Sequence, residues 1–454
     1  MALWQWSEIC AALQVAARAG PDISGLTIDS RRVTPGDLFV ALPGDPGPRF
    51  AASSRSDRDG HDFVADAFRR GAAGALVHRA GAYPGPTLTV PDTLDGLWEL
   101  ARASRARLAC PVVAVTGSSG KTTCKTLLAA ALDAYATEGS QNNHIGVPLS
   151  LARASRGSRS VILELGMNHP GEIAPLARLA RPDVAVVLNV QDAHRENFAD
   201  PDGIRVEKLS ITAGLAPGGI LVLHDEVDPR GLRSDIVIRR FGRAEQSEVQ
   251  LLGVEGNQAR YRIGDRVLDA RVPGAGVHRS LTLAAVFAVL DALGVDPAQA
   301  CALPEDLVPA GRGRHWVLRD RTIIDDSYNA NPASMAGALT ALAELPARRR
   351  VAILGEMREL GPDAPGFHRD LAPLCAGLDH VICVGEGAMP LYEALVEQGV
   401  PARWFELADE ALLDAAVGLS APGDMTLVKG SNRVFWQHDF VRRLGERLGA
   451  DDRA

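Results

Sequence analysis

The sequence predicts an α/β protein built in three units, with a doubly wound parallel sheet at the centre and a smaller α/β unit at either end. Its 454 residues correspond to about two to four domains at the usual size. Short apolar runs alternate with helical stretches, the pattern of a parallel sheet whose strands are joined by helical crossovers. One apolar run breaks into a Gly-rich turn that continues as a helix, the local signature of a phosphate loop, or P-loop.

The units are expected at residues 1–108, 109–312 and 313–454. In the first, residues 37–42 read as a short strand and 61–70 are amphipathic at helical spacing. Residues 43–60 between them are rich in Gly, Pro, Ser, Asp and Arg and read as an exposed loop. The central unit opens with a buried-strand run at 112–116 and a helix over 121–134. Strand runs follow at 161–165, 184–190 and 220–223, with helices at 171–179 and 201–215. Residues 236–272 alternate in a looser β pattern, and 281–293 form an apolar helix. The last unit has strand runs at 322–325, 351–354, 380–384 and 425–428 with helices between them, a second open, Rossmann-like α/β sheet.

Composition narrows the function classes. Hydrophobic content of 46% and charged content of 23% belong to a globular chain rather than a disordered one. A net charge of −8 argues against nucleic acid or an anionic membrane surface as the partner. No run is long and apolar enough to span a bilayer. The Met-Ala-Leu-Trp-Gln-Trp start lacks the basic and apolar regions of a signal peptide, so a cytoplasmic protein is expected. The six cysteines show no CxxC pairing and read as reduced structural thiols, which disfavours zinc.

One oddity is informative. Only four of the 48 cationic residues are lysines: Lys121, Lys125, Lys208 and Lys429. Where arginine has replaced lysine so thoroughly, the lysines that remain are candidates for chemistry a guanidinium cannot do. An arginine is neither a compact point charge nor a neutral nucleophile at working pH.

Thr116-Gly-Ser-Ser-Gly-Lys-Thr-Thr123 lies where a buried strand turns into a helix. Glycines there let backbone N–H groups curl around phosphate oxygens, and the helix N-terminus adds positive potential. Gly117, Ser118, Ser119, Gly120, Lys121, Thr122 and Thr123 are therefore the expected nucleotide-phosphate site. Lys121 would reach the β- and γ-phosphates, and the Thr122 hydroxyl would ligate Mg²⁺. Spacing alone leaves an NTPase, a kinase and a ligase open.

Other residues converge on the same crevice. Glu164 sits near the C-terminal end of a buried strand, where open α/β sheets bind ligands, and could face the same Mg²⁺. His194 follows the next strand end and is expected within reach. Lys208 lies in a helical stretch, with no reason from pattern alone to be more than a surface cation except the scarcity of lysine.

Further motifs follow in order: Asp29-Ser30-Arg31, Gln141-Asn142-Asn143-His144, Glu164-Leu-Gly-Met-Asn-His-Pro-Gly-Glu172, Gly311-Arg-Gly-Arg314, Asp325-Asp326-Ser-Tyr-Asn329-Ala-Asn331-Pro332, Gly355-Glu-Met357 and Lys429-Gly-Ser431. This series resembles the Mur ligases, ATP-dependent amide ligases of bacterial cell-wall precursor synthesis. The resemblance runs from about Ser24 to the C-terminus. It is strongest to the branch that joins D-alanyl-D-alanine to a UDP-N-acetylmuramoyl-tripeptide, so these two small molecules, with ATP and Mg²⁺, are the implied partners.

In such a ligase a substrate carboxylate attacks the γ-phosphate, and an amine then attacks the acyl phosphate. The resemblance implies that Glu164 and His194 place metal ions and that Lys208 is carbamylated to give an anionic metal ligand. It puts Arg314 and Asp326 on ATP, with Asp325 as the alternative acid, and Asn329 and Asn331 beside the adenine. It puts Ser30 and Arg31 in the uridine-binding region, Asn142 and Asn143 on the nucleotide sugar, and Lys429 and Ser431 near the dipeptide. A monomer is expected.

Several positions depart from the family pattern. Lys208-Leu-Ser210 replaces Lys-Gly-Glu, and His278-Arg-Ser-Leu-Thr282 replaces His-Asn-x-x-Asn. His194 is followed by Arg-Glu-Asn, and residues 47–58 read as an insertion. Two other readings stay open: a Mur-type or folylpolyglutamate-type ligase with another substrate, and a catalytically idle nucleotide-binding relative.

Overall fold

The computed structural model describes residues 2–45, 58–192, 195–198, 200–274 and 276–449. His194 and most of the 43–60 loop, including the 47–57 part of the expected insertion, lie outside the described residues.

Three sheets form the frame. The first is four-stranded and wholly parallel, in the order β1 (Gly25–Thr27), β2 (Asp37–Val40), β3 (Gly74–Val77) and β4 (Thr87–Thr89). Short strands with both faces covered need continuous apolar runs, and Leu38, Phe39 and Val40 are each fully buried. Of the sheet's strands only β2 stands out in the sequence, since three-residue strands carry too little pattern to detect.

The central sheet has nine strands. In chain order they are β5 (Val112–Thr116), β6 (Tyr135–Ala136), β7 (Val161–Glu164), β8 (Val184–Val187), β9 (Ile220–His224), β10 (Val237–Gly242), β11 (Val249–Glu255), β12 (Gln258–Ile263) and β13 (Arg266–Arg271). Across the sheet the order is β13-β12-β11-β10-β9-β8-β5-β7-β6. From β6 across to β11 the strands pair in parallel throughout, and among the described residues only the β11–β12 and β12–β13 pairings are antiparallel, a meander at the edge. The expected doubly wound sheet therefore carries an added antiparallel edge. The chain leaves β5 for β6 and β7 on one side, then crosses to β8 and β9 on the other. The crevice beyond the C-terminal ends of β5, β7 and β8 is thus a topological switch point, where open α/β sheets bind ligands.

The third sheet is ordered β14 (Arg314–Leu318), β15 (Arg321–Asp326), β19 (Asp424–Lys429), β16 (Arg349–Gly355), β17 (His380–Val384) and β18 (Ala402–Phe405). Only β14 is antiparallel, forming a hairpin with β15. Parallel register sets Asp326 beside Lys429. Among the described residues no helix is long and apolar enough to cross a membrane.

Candidate active site

A cleft of about 400 Å³ opens between the central and third sheets. One wall is the phosphate loop. β5 ends in Thr116, and Gly120 takes a left-handed φ of +79° at the head of the helix Lys121–Leu132. That conformation is cheap only for glycine, and it turns the loop back over the helix N-terminus. The loop is braced from the segment after β8. Asn189 Oδ1 accepts from the Ser119 backbone at 3.0 Å, and Ser119 Oγ donates to Gln191 Oε1 at 2.9 Å. The Ser118 hydroxyl bonds the Gln191 backbone at 3.0 Å. Lys121 Nζ donates to the Gly117 carbonyl at 2.7 Å.

Behind the loop lies a buried polar knot centred on Glu164, the last residue of β7, which is 1% exposed. Thr122 Oγ1 donates to Glu164 Oε2 at 2.8 Å, and Asn142 Nδ2 donates to Oε1 at 2.8 Å. A carboxylate and a hydroxyl held side by side are hard oxygen donors, the kind that suits Mg²⁺ rather than a softer metal.

Lys125, one turn beyond Lys121, completes the knot. It is 3% exposed, its Nζ lies 3.8 Å from Glu164 Oε2, and it donates to the Thr137 carbonyl at 2.7 Å and to the Gly139 carbonyl. It anchors the strand-to-loop segment that delivers Ser140 and Asn142. Removing one member of a buried charge pair leaves the partner uncompensated. Lys125→Met is therefore expected to lower the unfolding free energy of the central sheet by about 3 kcal/mol, read from urea denaturation. A change under about 0.5 kcal/mol would mean that the carbonyls and Glu164 find other partners.

The opposite wall comes from the third sheet and its approach. Asp326 pairs with Lys429 at 2.7 Å, and Lys429 also donates to the Asn329 carbonyl at 3.1 Å. Burial would raise the Asp326 carboxyl, but Lys429 and Arg279 hold it below the usual carboxylate range. Asp325 turns inward instead. It accepts from the Gly311 backbone at 3.0 Å and the Ser327 hydroxyl at 2.5 Å, and burial raises its pKa. Of the two acids, Asp326 is the one on the cleft. Asn331 lines the cleft while capping the helix Pro332–Glu344, its Oδ1 accepting from the Ser334 backbone at 2.8 Å.

Other expected residues sit differently. Arg314 belongs to β14, opposite Asp325, and is not on the cleft wall; Arg312 is. Gly311 and Gly313, with φ of +71° and +85°, swing the chain so that the Arg312 guanidinium enters the cleft. It lies 4.1 Å over the Tyr328 ring and donates to Ser140 Oγ at 2.9 Å. The motif offers two arginines two residues apart, and which one faces inward depends on those backbone angles. Asn143 lines the cleft, but its Oδ1 is engaged by the Gly146 backbone N–H at 2.9 Å, at the start of the helix Gly146–Arg153. Ser30 and Arg31 lie beside the first sheet, where Asp29 caps the turn and pairs with Arg31 at 2.8 Å. The Ser431 hydroxyl is buried without a hydrogen-bond partner among the described residues.

Lys208 is in the helix Pro201–Leu209 and is 1% exposed. Burial and the neighbouring Lys121 charge push its pKa well below that of an ordinary lysine. The adjacent Glu207 does not pair with it. Its carboxylate accepts from the Gly171 and Ile173 backbones, each at 2.7 Å, and so holds the 168–173 loop. Lys121, Arg279 and Arg312 all line the cleft. Among the described residues each donates to neutral oxygens rather than to a carboxylate. Three cations, none hydrogen-bonded to a carboxylate among the described residues, at a helix N-terminus and next to hard oxygen donors, suit a polyphosphate.

Residues 115–290 match the model of the Mur ligase middle domain, and residues 313–432 match that of the Mur ligase, glutamate ligase domain. The UDP-N-acetylmuramoyl-tripeptide–D-alanyl-D-alanine ligase of Escherichia coli (strain K12) is 36% identical over 391 residues, covering 81% of this chain and 83% of that protein. The structure of MurF from Acinetobacter baumannii superposes with a TM-score of 0.83 at 29% identity, covering 98% of this chain and 99% of that one. MurF ligase from Thermotoga maritima in complex with ADP gives a TM-score of 0.77 at 29% identity, over 93% of this chain and 98% of that one.

Proposed function

The chain belongs to the Mur ligase family, and we propose that it joins D-alanyl-D-alanine to UDP-N-acetylmuramoyl-tripeptide at the expense of ATP, in peptidoglycan precursor synthesis. The observation that carries this reading is the cleft itself. A phosphate loop with its cations faces an acid–lysine pair from a second sheet across one cleft.

The chemistry has two steps. The terminal carboxylate oxygen of the tripeptide forms a bond to the γ-phosphorus as the bond to the ADP oxygen breaks, giving an acyl phosphate. The dipeptide amine then adds to the acyl carbon, loses a proton, and phosphate departs as the amide forms. Such transfer depends on positioning and charge neutralisation. We assign Lys121 and the loop amides of Gly117–Thr123 to the β- and γ-phosphates, and Arg312 to the phosphoryl group from the facing side. Thr122 and Glu164 would hold Mg²⁺, which when bound neutralises phosphate charge. Lys208, as a carbamate, and His194 are assigned to a second metal position. Asp326, Asn329 and Asn331 are assigned to the nucleoside end of ATP, and Asn142 and Asn143 to the nucleotide sugar. Ser30 and Arg31 go to the uridine, and Lys429 and Ser431 to the dipeptide side.

On this reading residues 1–108 hold the UDP end, 109–312 hold ATP, and 313–454 bring the dipeptide and close on ATP. Closure keeps water from the acyl phosphate. We expect the chain to act as a monomer. The six free cysteines support a reducing, cytoplasmic setting.

The test is a coupled assay of phosphate release with mass detection of the amide. Release is expected only when ATP, the UDP-tripeptide and D-alanyl-D-alanine are all present, and other amino acids or nucleotide sugars should give little. Folded protein that makes no amide under these conditions would contradict the reading.

A further inference from the structure

Arg279 stands in the first turn of the helix Val277–Ala292 and is 8% exposed. A buried cation at a helix N-terminus opposes the helix dipole, and neutral acceptors compensate its charge only in part. Its two contacts show what it joins. One terminal nitrogen donates to Thr123 Oγ1 at 2.9 Å, on the phosphate-loop helix. The other donates to the carbonyl of Arg312, on the segment that enters β14. The surroundings are cut to fit it. A Cβ on Gly313 would lie 2.5 Å from its Nη2, and Gly274 lies alongside its stem.

Arg312 closes the circuit from the other side. Its guanidinium donates to Ser140 Oγ, which is 3.3 Å from Thr122 Oγ1. The phosphate-loop helix is thus tied to the approach to the third sheet twice, through Thr123 and Arg279 and through Thr122 and Ser140. A planar fork of donors can serve two acceptors on different elements at once, which a lysine ammonium on this stem cannot do with the same geometry.

We propose that Arg279 is a positioning residue that latches the approach to the third sheet onto the phosphate loop and so holds Arg312 over the phosphate site. The proposal rests on the reading of this cleft as the ATP site, but not on which amide is made.

The test is a double-mutant cycle on AMP-PNP affinity, measured calorimetrically with Mg²⁺ on the full chain. The variants are Arg279→Met, which keeps the stem between the glycines, Arg312→Ala, and the two combined. Arg279→Met is expected to weaken binding about tenfold, with Arg279→Lys recovering only part of the loss. Because one residue acts through the other, the double variant should be within about twofold of Arg312→Ala alone. Arg279→Met binding within about twofold of the unsubstituted chain would overturn the proposal. So would single effects that multiply in the double variant, which is what two independent contacts or general loosening would give. AMP-PNP binding needs neither the UDP-tripeptide nor the dipeptide. The cycle therefore stays readable if the ligase reading fails in the coupled assay.

Discussion

Lys121→Ala is expected to lower kcat for ATP-dependent ligation by about 10³-fold, with the KM values of the UDP-tripeptide and the dipeptide changed by less than about threefold. Lys121 begins the helix after the phosphate loop and is lodged against the Gly117 carbonyl, so its ammonium needs only to swing outward to meet a phosphate. Negative charge builds on the oxygen between the β- and γ-phosphates as the acyl phosphate forms. A compact cation fixed there stabilises the transition state more than the ground state. Lys121→Arg should restore little, because a broad planar fork cannot enter a loop already closed by Gly120 and the Asn189 brace. Steady-state phosphate release with both substrates present measures this. Activity within about tenfold of the unsubstituted chain would mean that the γ-phosphate is held elsewhere.

Lys208→Arg is expected to lower kcat about 100-fold, although the approximate length of the side chain is kept. Lys208 is almost wholly enclosed, and burial together with the Lys121 charge favours its neutral form. A neutral primary amine can add to carbon dioxide, forming an N–C bond and releasing one proton, to give a carbamate. A guanidinium stays charged and cannot. The sign is definite. Lowering the amine pKa enlarges the reactive fraction near neutral pH, whereas an exposed lysine there would be almost entirely protonated. Depleting bicarbonate should slow the unsubstituted chain reversibly and leave Lys208→Arg unaffected. If the variant kept more than half of the activity, Lys208 would be a packing residue with no carbamate role.

The sequence revealed the frame and the chemistry better than the joints between them. β5 and the phosphate loop were legible because a fully buried strand must be apolar throughout and the turn that follows must be glycine. Glu164 was legible because a carboxylate in such a strand has to be accounted for. The β11–β13 edge registered only as loose alternation, since one of its faces is solvated and the pattern is diluted.

Lys125 gave no local clue, because its partners are carbonyls of a segment about a dozen residues away and a carboxylate on another strand. The sequence motif points to Arg314 rather than Arg312, since it is the positive φ values of Gly311 and Gly313 that decide which side chain turns into the cleft. Arg279 registered only as a missing asparagine. That it bridges two units is a tertiary fact, invisible until Thr123 and Arg312 are brought together.

The most direct test of acyl-phosphate ligation in this cleft follows an oxygen atom. With the terminal tripeptide carboxylate labelled with oxygen-18 at both positions, the amide product and the released phosphate are analysed by mass spectrometry. Each phosphate should carry about one labelled oxygen, in step with amide formed, because the attacking carboxylate oxygen leaves on phosphorus. Unlabelled phosphate, or phosphate released without amide, would contradict carboxylate activation by ATP.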